Sequence, residues 1–408
     1  MDAETHLVTD LEANQVTDRT LRGRTAVVGI GETRYYKHGT SPDPEFKMVL
    51  EAILAACEDA GLHPRDIDGF ASFSHDRNDP PRIAAALGLP DLRYSGMVWG
   101  GGGGGGSGAV AHAAAAVATG LAEVVVVFRG LAQGQFGRYG RGDRVQAAEG
   151  PDAFTAPYGV LSPAQNFAMR VRRFMWEHGI GQEALRAIAL TSYAHAQRNP
   201  RAVMYGRPLS AEEYDHSRLI VEPFRLFDCC LESDGAAAVI VTSGGRAKDL
   251  RQKPAYIAAA VQGSGYRQAA AAHNAPDYPT SNFKTLAPRL YAMAGVGPQD
   301  IDVLQSYENF TGGVLMSIVE HGFCRPEEVN EFFTPETFAF EGGRLPLNTS
   351  GGNLAECYMH GLELIIEAVR QIRGTSSCQV PEVKLSMVTS GPMVQPVSSS
   401  IYSSEPGP

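Results

Sequence analysis

The stretch Ala60-Gly61-Leu62-His63-Pro64-Arg65-Asp66-Ile67-Asp68 returns 234 positions later as Ala294-Gly295-Val296-Gly297-Pro298-Gln299-Asp300-Ile301-Asp302. Six of the nine residues are identical, including the Gly, the Pro and the Asp-Ile-Asp. Each copy runs into a short apolar segment that reads as a strand, Phe70-Ala71-Ser72-Phe73 in the first and Val303-Leu304-Gln305-Ser306-Tyr307 in the second. A phrase of this specificity, repeated at such a distance, marks an internal duplication.

Other parts of the two halves pair in the same way. Ala26 to Ile30 and Tyr256 to Val261 open the halves as buried strands. A helix is expected over about 44–60, with Val49, Ile53, Leu54 and Cys57 at helical spacing and Gly61 as its C-cap. An Ala-rich helix over about 107–119 precedes the strand Val124–Phe128, and a helix over about 358–373 precedes the strand Leu385–Thr389. Ala236 to Thr242 and Val397 to Tyr402 close the halves. Strands alternating with helices predict an α/β fold with a mostly parallel sheet. The expected units are a flexible arm over 1–24, a first half over 25–245 and a second half over 253–408. The first half carries an insert over about 129–220, with helices near 164–178 and 182–198.

Composition narrows the function classes. The chain has 408 residues, 44% apolar and 20% charged, which is globular rather than disordered material. Glycine accounts for 45 residues, seven of them consecutive from Gly100 to Gly106, without the triplet period of collagen. The net charge of −10 offers no basic footprint for nucleic acid. The six cysteines include no CxxC pair and read as reduced thiols of a cytoplasmic protein. No secretory signal opens the chain, and the longest small-apolar run, Ala109 to Ala118, is about half a membrane span. The glycine run satisfies GxGxxG trivially, without the strand, turn and acidic residue of a dinucleotide site.

Three further motifs carry a resemblance. Asp234-Gly235-Ala236-Ala237-Ala238 closes the first half, Asn199-Pro200-x-Ala202 lies in the insert, and Asn348-x-x-Gly351-Gly352-x-x-Ala355 lies in the second half. Together with Ser107-Gly108 at a helix start, they make residues 25–405 resemble the thiolase superfamily, of the sterol carrier protein X or lipid-transfer type. The resemblance implies a thiolase fold, two duplicated βαβ halves in a five-layer αβαβα arrangement with an inserted loop domain. The departures are specific. The nucleophilic cysteine of a thiolase falls on Gly105. The activating histidine falls on Tyr358, in Gly351-Gly352-Asn353-Leu354-Ala355-Glu356-Cys357-Tyr358-Met359. The oxyanion-hole residue falls on Tyr307, in Tyr307-Glu308-Asn309-Phe310, and the second cysteine is replaced near Ser390-Gly391.

Without a thiolate at 105 the acyl-enzyme route is closed. The pattern resembles instead the steroid side-chain aldolases of this superfamily. These cleave a 17-hydroxy-20-carboxyl-CoA steroid by a retro-aldol reaction to a 17-oxosteroid and propionyl-CoA. The resemblance implies Tyr358 as base, Tyr307 as enolate donor or proton source, with the roles open to exchange, and His360 as a further candidate. Tyr358 is expected near a helix start, where the dipole favours a phenolate. Gly105, Ser107, Asn309, Asn353, Ser390 and Gly391 are the expected substrate-binding or oxyanion residues. Arg129, Arg138, Arg141, Arg144, Arg170, Arg172 and Arg173 are candidates for CoA phosphates or for a solvated basic face, and His195 and the Cys229-Cys230 pair read as packing residues.

No cofactor or metal is expected, CoA being part of the substrate. The implied partners are a second copy of the chain and the OB-fold domain of an acyl-CoA hydratase, with no nucleic acid and no membrane. The competing readings are a non-catalytic acyl-CoA-binding subunit and a true thiolase. The glycine run is expected to clear space for a steroid ring system. On that reading Gly105→Cys leaves the fold intact and impairs steroid binding.

Overall fold

The repeated phrase folds identically twice. In the computed structural model, which describes residues 20–100, 102–136, 149–267 and 273–407, Gly61 and Gly295 both adopt left-handed backbone and end a helix, at φ 72° and 69°. Pro64–Asp66 and Pro298–Asp300 both form a single 3-10 turn. The carboxylates of Asp66 and Asp300 accept the backbone N–H of His63 at 2.9 Å and of Gly297 at 2.7 Å. Asp68 accepts the N–H groups of Glu123 and Val124, while Asp302 accepts those of Lys384 and Leu385. Each second aspartate thus caps the first residues of the neighbouring strand. That requirement explains why Asp-Ile-Asp recurs.

Among the described residues the sheet has ten strands, nine of them in a continuous order: β1 Thr25–Glu32, β2 Gly69–Phe73, β3 Tyr94–Val98, β4 Val124–Ala132, β5 Ser233–Ser243, β6 Ala255–Gly263, β7 Val303–Ser306, β8 Leu385–Ser390 and β9 Val397–Ser403; the tenth, Tyr36–Lys37, pairs with the start of β5. The first half runs β1-β5-β4-β2-β3 and the second runs β6-β9-β8-β7. The order and sense of the first four strands match between halves. β1/β5 and β5/β4 are antiparallel and β4/β2 parallel, just as β6/β9 and β9/β8 are antiparallel and β8/β7 parallel. The place of β3 beside β2 is taken in the second half by a single parallel bridge, Leu304 to Leu347. The halves join through a two-residue ladder, Ala26 with Tyr256 and Val27 with Ala255. The expectation of a mostly parallel sheet is therefore corrected. Only six residues separate β8 from β9, too short for the crossover that parallel neighbours need, so the strand returns antiparallel.

Seven helices frame the sheet: α1 Glu45–Ala60, α2 Gly106–Ala118, α3 Pro163–His178, α4 Gln182–Ala196, α5 Ala287–Ala294, α6 Thr311–Glu320 and α7 Leu362–Arg373. α1 packs on β1, β5 and β4, and α5 on β6 and β9. α2 and α7 touch strands of both halves and each other. The layers are therefore helix, sheet, two central helices, sheet, helix. Both faces of β1, β4 and β5 are covered, so these strands are buried along nearly their whole length rather than on alternate residues. Val124, Val126 and Phe128 face the α1 side, while Val125 and Val127 face the central helices. β1 approaches α1 too closely for side chains at Gly29 and Gly31, where an added Cβ would lie 2.3 Å from the Ala56 carbonyl oxygen and 2.1 Å from that of Ala52. α3 and α4 lie in the stretch between β4 and β5, where helices were expected. No helix among the described residues is long and apolar enough to cross a membrane.

Candidate active site

Tyr307 follows β7 directly, and Tyr358 lies in the loop that leads into α7. The sheet brings these residues, 51 apart in sequence, together. The Tyr307 hydroxyl donates to the Tyr358 oxygen at 2.8 Å, with ring centroids 6.0 Å apart. Both rings are buried. The reading of Tyr358 as near a helix start is corrected: α7 begins at Leu362 behind Gly361, so the helix start lies four residues beyond it. Its backbone N–H donates instead to Ser233 Oγ at 3.2 Å. Burial, reinforced by Tyr358 and then by the Cys230 thiol, pushes the Tyr307 hydroxyl well above its ordinary range. Tyr307 therefore keeps its proton and offers it to Tyr358. A hydrogen bond of that sense favours a phenolate on the acceptor.

His360 stacks edge-on against Tyr358, with centroids 5.1 Å apart, and holds a left-handed backbone at φ 52°. Burial, then the guanidinium groups of Arg129 and Arg77, push its imidazolium well below the usual histidine range, so the ring is neutral.

The glycine run packs densely. Gly102–Gly105 form a 3-10 turn that leads into α2. An added Cβ at Gly103 would lie 2.1 Å from the Tyr307 ring, and one at Gly391 would lie 2.1 Å from the Gly104 nitrogen. At Gly105 a Cβ would meet Phe73 Cβ at 2.4 Å. The expectation that Gly105 clears room for a ring system is corrected, because the Phe73 side chain occupies that room. Phe73 is held in place by Arg129, whose Nη1 donates to the Phe73 carbonyl at 2.7 Å and to Asp76 Oδ2 at 3.0 Å.

The remaining predicted residues sit nearby in internal contacts. Ser107 Oγ lies 3.0 Å from Ser390 Oγ and 2.9 Å from Ser400 Oγ, tying the start of α2 to β8 and β9. Ser398 Oγ accepts the Gly108 N–H. Ser398 and Ser400 of β9 are buried hydroxyls that meet the first turn of a central helix. Asn309 spends its amide on the Pro392 carbonyl and the Phe310 N–H. Asn353 is enclosed by Glu308 and Glu363 rather than open to a ligand.

Sequence reasoning missed these two acids, along with Phe73 and Gly103. Glu308 accepts Ser192 Oγ at 2.5 Å and the Asn353 N–H at 2.6 Å. The adjacency of Glu308 to Tyr307 and the four-residue spacing of Met359 from Glu363 were the available signals.

Among the other candidates, Arg138, Arg141 and Arg144 lie outside the described residues. Arg129 and Arg170 are buried, the latter donating to the Thr280 carbonyl at 3.4 Å. Arg172 and Arg173 remain on the exposed face of α3, paired with Glu222 and Glu177. His195 is a packing residue. Its Nδ1 lies 3.0 Å from the Leu347 carbonyl, and burial pulls its pKa down to about 4. All six cysteines are free thiols. Cys229 bridges Phe310, and the Cys230 N–H donates to the Asn309 carbonyl.

Burial raises several carboxyls, Asp228 to about 6, Glu308 to about 7 and Glu356 to about 8, and Glu363 well above its usual range. A raised acid binds its proton more tightly when folded, so its stabilisation is lost as pH rises through the folded value. Each acid that stays protonated above its unfolded pKa costs about 1.4 kcal/mol per pH unit. His195 and His321, both lowered to about 4, act in the opposite sense but only below pH ~6.5. Calorimetry should therefore show Tm falling from pH ~6.5 to ~8.5. A Tm that rises over that range contradicts the assignment of protonated buried acids.

Comparison with known proteins places this geometry. Residues 263–404 match the family described as thiolase C-terminal domain-like. The chain is 41% identical to the steroid side-chain-cleaving aldolase of Thermomonospora curvata, over 91% of this chain and 96% of that one. It is 39% identical to the 17-hydroxy-3-oxo-4-pregnene-20-carboxyl-CoA lyase of Mycobacterium tuberculosis, over 91% of this chain and 97% of that one. The solved structure of the Ltp2-ChsH2(DUF35) aldolase superposes with a TM-score of 0.88 at 39% identity, covering 94% of this chain and 98% of that one.

Proposed function

The chain belongs to the thiolase-fold, sterol-carrier-type family of steroid side-chain-cleaving aldolases, and from that premise we propose how its own residues cleave the carbon–carbon bond. The protein is a lyase that converts a 17-hydroxy-20-carboxyl-CoA steroid to a 17-oxosteroid and propionyl-CoA. The observation that carries the mechanism is the directed hydrogen bond from Tyr307 to Tyr358.

In this mechanism the Tyr358 oxygen, favoured as phenolate by the Tyr307 donor, takes the proton of the 17-hydroxyl. The C17–C20 bond breaks, its electron pair forming the thioester enolate, while the 17-carbonyl forms. The enolate carbon then takes a proton from Tyr358, and propionyl-CoA leaves. The proton removed equals the proton returned, so the cycle needs no cofactor beyond the CoA of the substrate. His360, neutral and against the Tyr358 ring, orients that ring rather than exchanging protons. Tyrosine can fill both roles without a covalent intermediate, which is why replacement of the nucleophile by glycine is compatible with the reaction.

Two partners belong to the proposal. A DUF35-type domain, named in the similar solved structure, is read as the partner of this chain, in keeping with the expected OB-fold domain of a hydratase. A second copy is read as pairing along β3, whose Tyr94–Val98 edge has β2 as its one neighbour among the described residues and is followed by Trp99, 81% exposed. The test is incubation of the chain, alone and with a DUF35-type partner, with a 17-hydroxy-20-carboxyl-CoA steroid. Propionyl-CoA and the 17-ketone should appear in equal amounts. Saturable binding with no product under either condition would favour a non-catalytic acyl-CoA-binding subunit, and acyl transfer to free CoA would favour a thiolase.

A further inference from the structure

We infer that Asn353 and Glu363 are positioning residues that hold the two tyrosine hydroxyls at hydrogen-bond distance. The inference deepens the aldolase reading and rests on it for the role of the tyrosines.

Backbone pairing between the Tyr307 and Tyr358 segments is indirect, through the Leu304–Leu347 bridge and through Cys230 and Leu231, which donate to the Asn309 and Asn353 carbonyls, and no backbone hydrogen bond among the described residues joins the immediate neighbours of the two tyrosines. A side-chain clamp does. The backbone N–H of Glu308, next to Tyr307, donates to Asn353 Oδ1 at 2.9 Å. The Asn353 N–H donates back to Glu308 Oε2 at 2.6 Å. Asn353 Nδ2 then donates to Glu363 Oε1, and the same oxygen accepts the N–H of Met359, next to Tyr358, at 3.2 Å. The chain therefore runs from one tyrosine's neighbour to the other's through two side chains. Asn353, Glu363 and Glu308 are all essentially inaccessible to solvent. In such an interior a satisfied polar network locks geometry, and a broken one leaves costly unpaired donors.

No cation among the described residues takes part in the clamp, and burial pushes the Glu363 carboxyl well above its usual range. Only one of its oxygens works. Oε1 accepts both donors, while Oε2 is buried without a hydrogen-bond partner. Glutamine at 363 keeps the accepting oxygen and places its amide at Oε2, which is buried without a hydrogen-bond partner to lose. Leucine at 363 removes the acceptor and strands the Asn353 amide and the Met359 N–H. Alanine at 353 breaks the same link more gently, because the Asn353 N–H to Glu308 survives.

The experiment compares Glu363→Gln, Glu363→Leu and Asn353→Ala in the full chain with its DUF35-type partner. Glu363→Gln should keep kcat within about threefold, with KM unchanged. Glu363→Leu and Asn353→Ala should lose about 100-fold in kcat with little change in KM, since a misplacement of the reacting groups of about 1 Å costs that much. If Glu363→Leu does not fold, Asn353→Ala alone decides. Equal losses in the glutamine and leucine variants would overturn the proposal, because the carboxyl proton would then be used in the chemistry. Wild-type kcat in Asn353→Ala would also overturn it.

A readout without substrate separates this proposal from the aldolase reading. The phenolate absorbance that Tyr358→Phe removes should move along the pH axis by about one unit or more in Asn353→Ala and not in Glu363→Gln. If the wild type releases no propionyl-CoA, the aldolase reading fails while this titration still decides the clamp, and an unmoved signal in Asn353→Ala rejects it.

Discussion

Tyr358→Phe should lower the rate of propionyl-CoA release by about 10²–10⁴-fold, the usual contribution of a positioned acid or base. The substitution removes one oxygen and little else. The ring keeps its edge-on contact with His360 and its place beside Tyr307, so fold and steroid affinity should survive. The oxygen it removes is the acceptor of the Tyr307 hydroxyl. Tyr307→Phe should do less, because it takes away a donor to a charged group rather than the group itself. Such a hydrogen bond is worth about 1.5–3 kcal/mol, or roughly 10- to 150-fold in rate. The ordering tests the direction of the bond. A larger loss in Tyr307→Phe would exchange the two roles, and full activity in both variants would remove the tyrosine pair from the mechanism. Single-turnover measurements with matched KM values separate this from a binding defect.

What could be read from the sequence was whatever local chemistry dictates. The doubled phrase was legible because each of its residues has a local task, a left-handed cap at Gly61 and Gly295 and a carboxylate cap at Asp68 and Asp302. Tyr307 and Tyr358 were legible as positions in family motifs, but nothing near either predicts the other's hydroxyl at 2.8 Å. Strand sense was misread because alternation of helices and strands says nothing of the short β8–β9 return. The strand over Val397 to Tyr402 was legible, but the task of its serines was not, because Ser398, Ser399 and Ser400 carry no apolar signal. The partners of Ser398 and Ser400, namely Ser107, the Gly108 N–H and the Gly104 carbonyl, lie some 290 residues away. Glu363 carries no signal beyond its place in the helix expected over about 358–373, because only the tertiary fold buries it beside Asn353.

The glycine run yields the other large effect, and two residues of the same run should respond in opposite ways. Gly105→Cys should cost about 1–3 kcal/mol in overpacking and reduce lyase activity with it, whereas Gly106→Ala should be tolerated. At Gly106 an added Cβ finds only ordinary contacts, 3.5 Å from Ser390 Oγ and 3.7 Å from Ile365 Cδ1. At Gly105 it finds Phe73 Cβ at 2.4 Å and Cγ at 2.9 Å. Phe73 cannot swing aside cheaply, because it is fully buried at the end of β2 and its carbonyl is gripped by Arg129. Moving Gly105 instead would shift Gly103 and Gly104, which pack on Tyr307 and Pro396, and so would disturb the tyrosine pair. A cysteine restored at the thiolase position would thus meet a phenylalanine rather than a histidine base. No acyl transfer should return with it. Denaturant unfolding and propionyl-CoA release for the two variants check the contrast. A Gly105→Cys protein with wild-type stability and turnover would show that Phe73 yields and that the run is only a lead-in to α2. Loss of both properties in Gly106→Ala would show that the run tolerates no side chain for reasons other than Phe73.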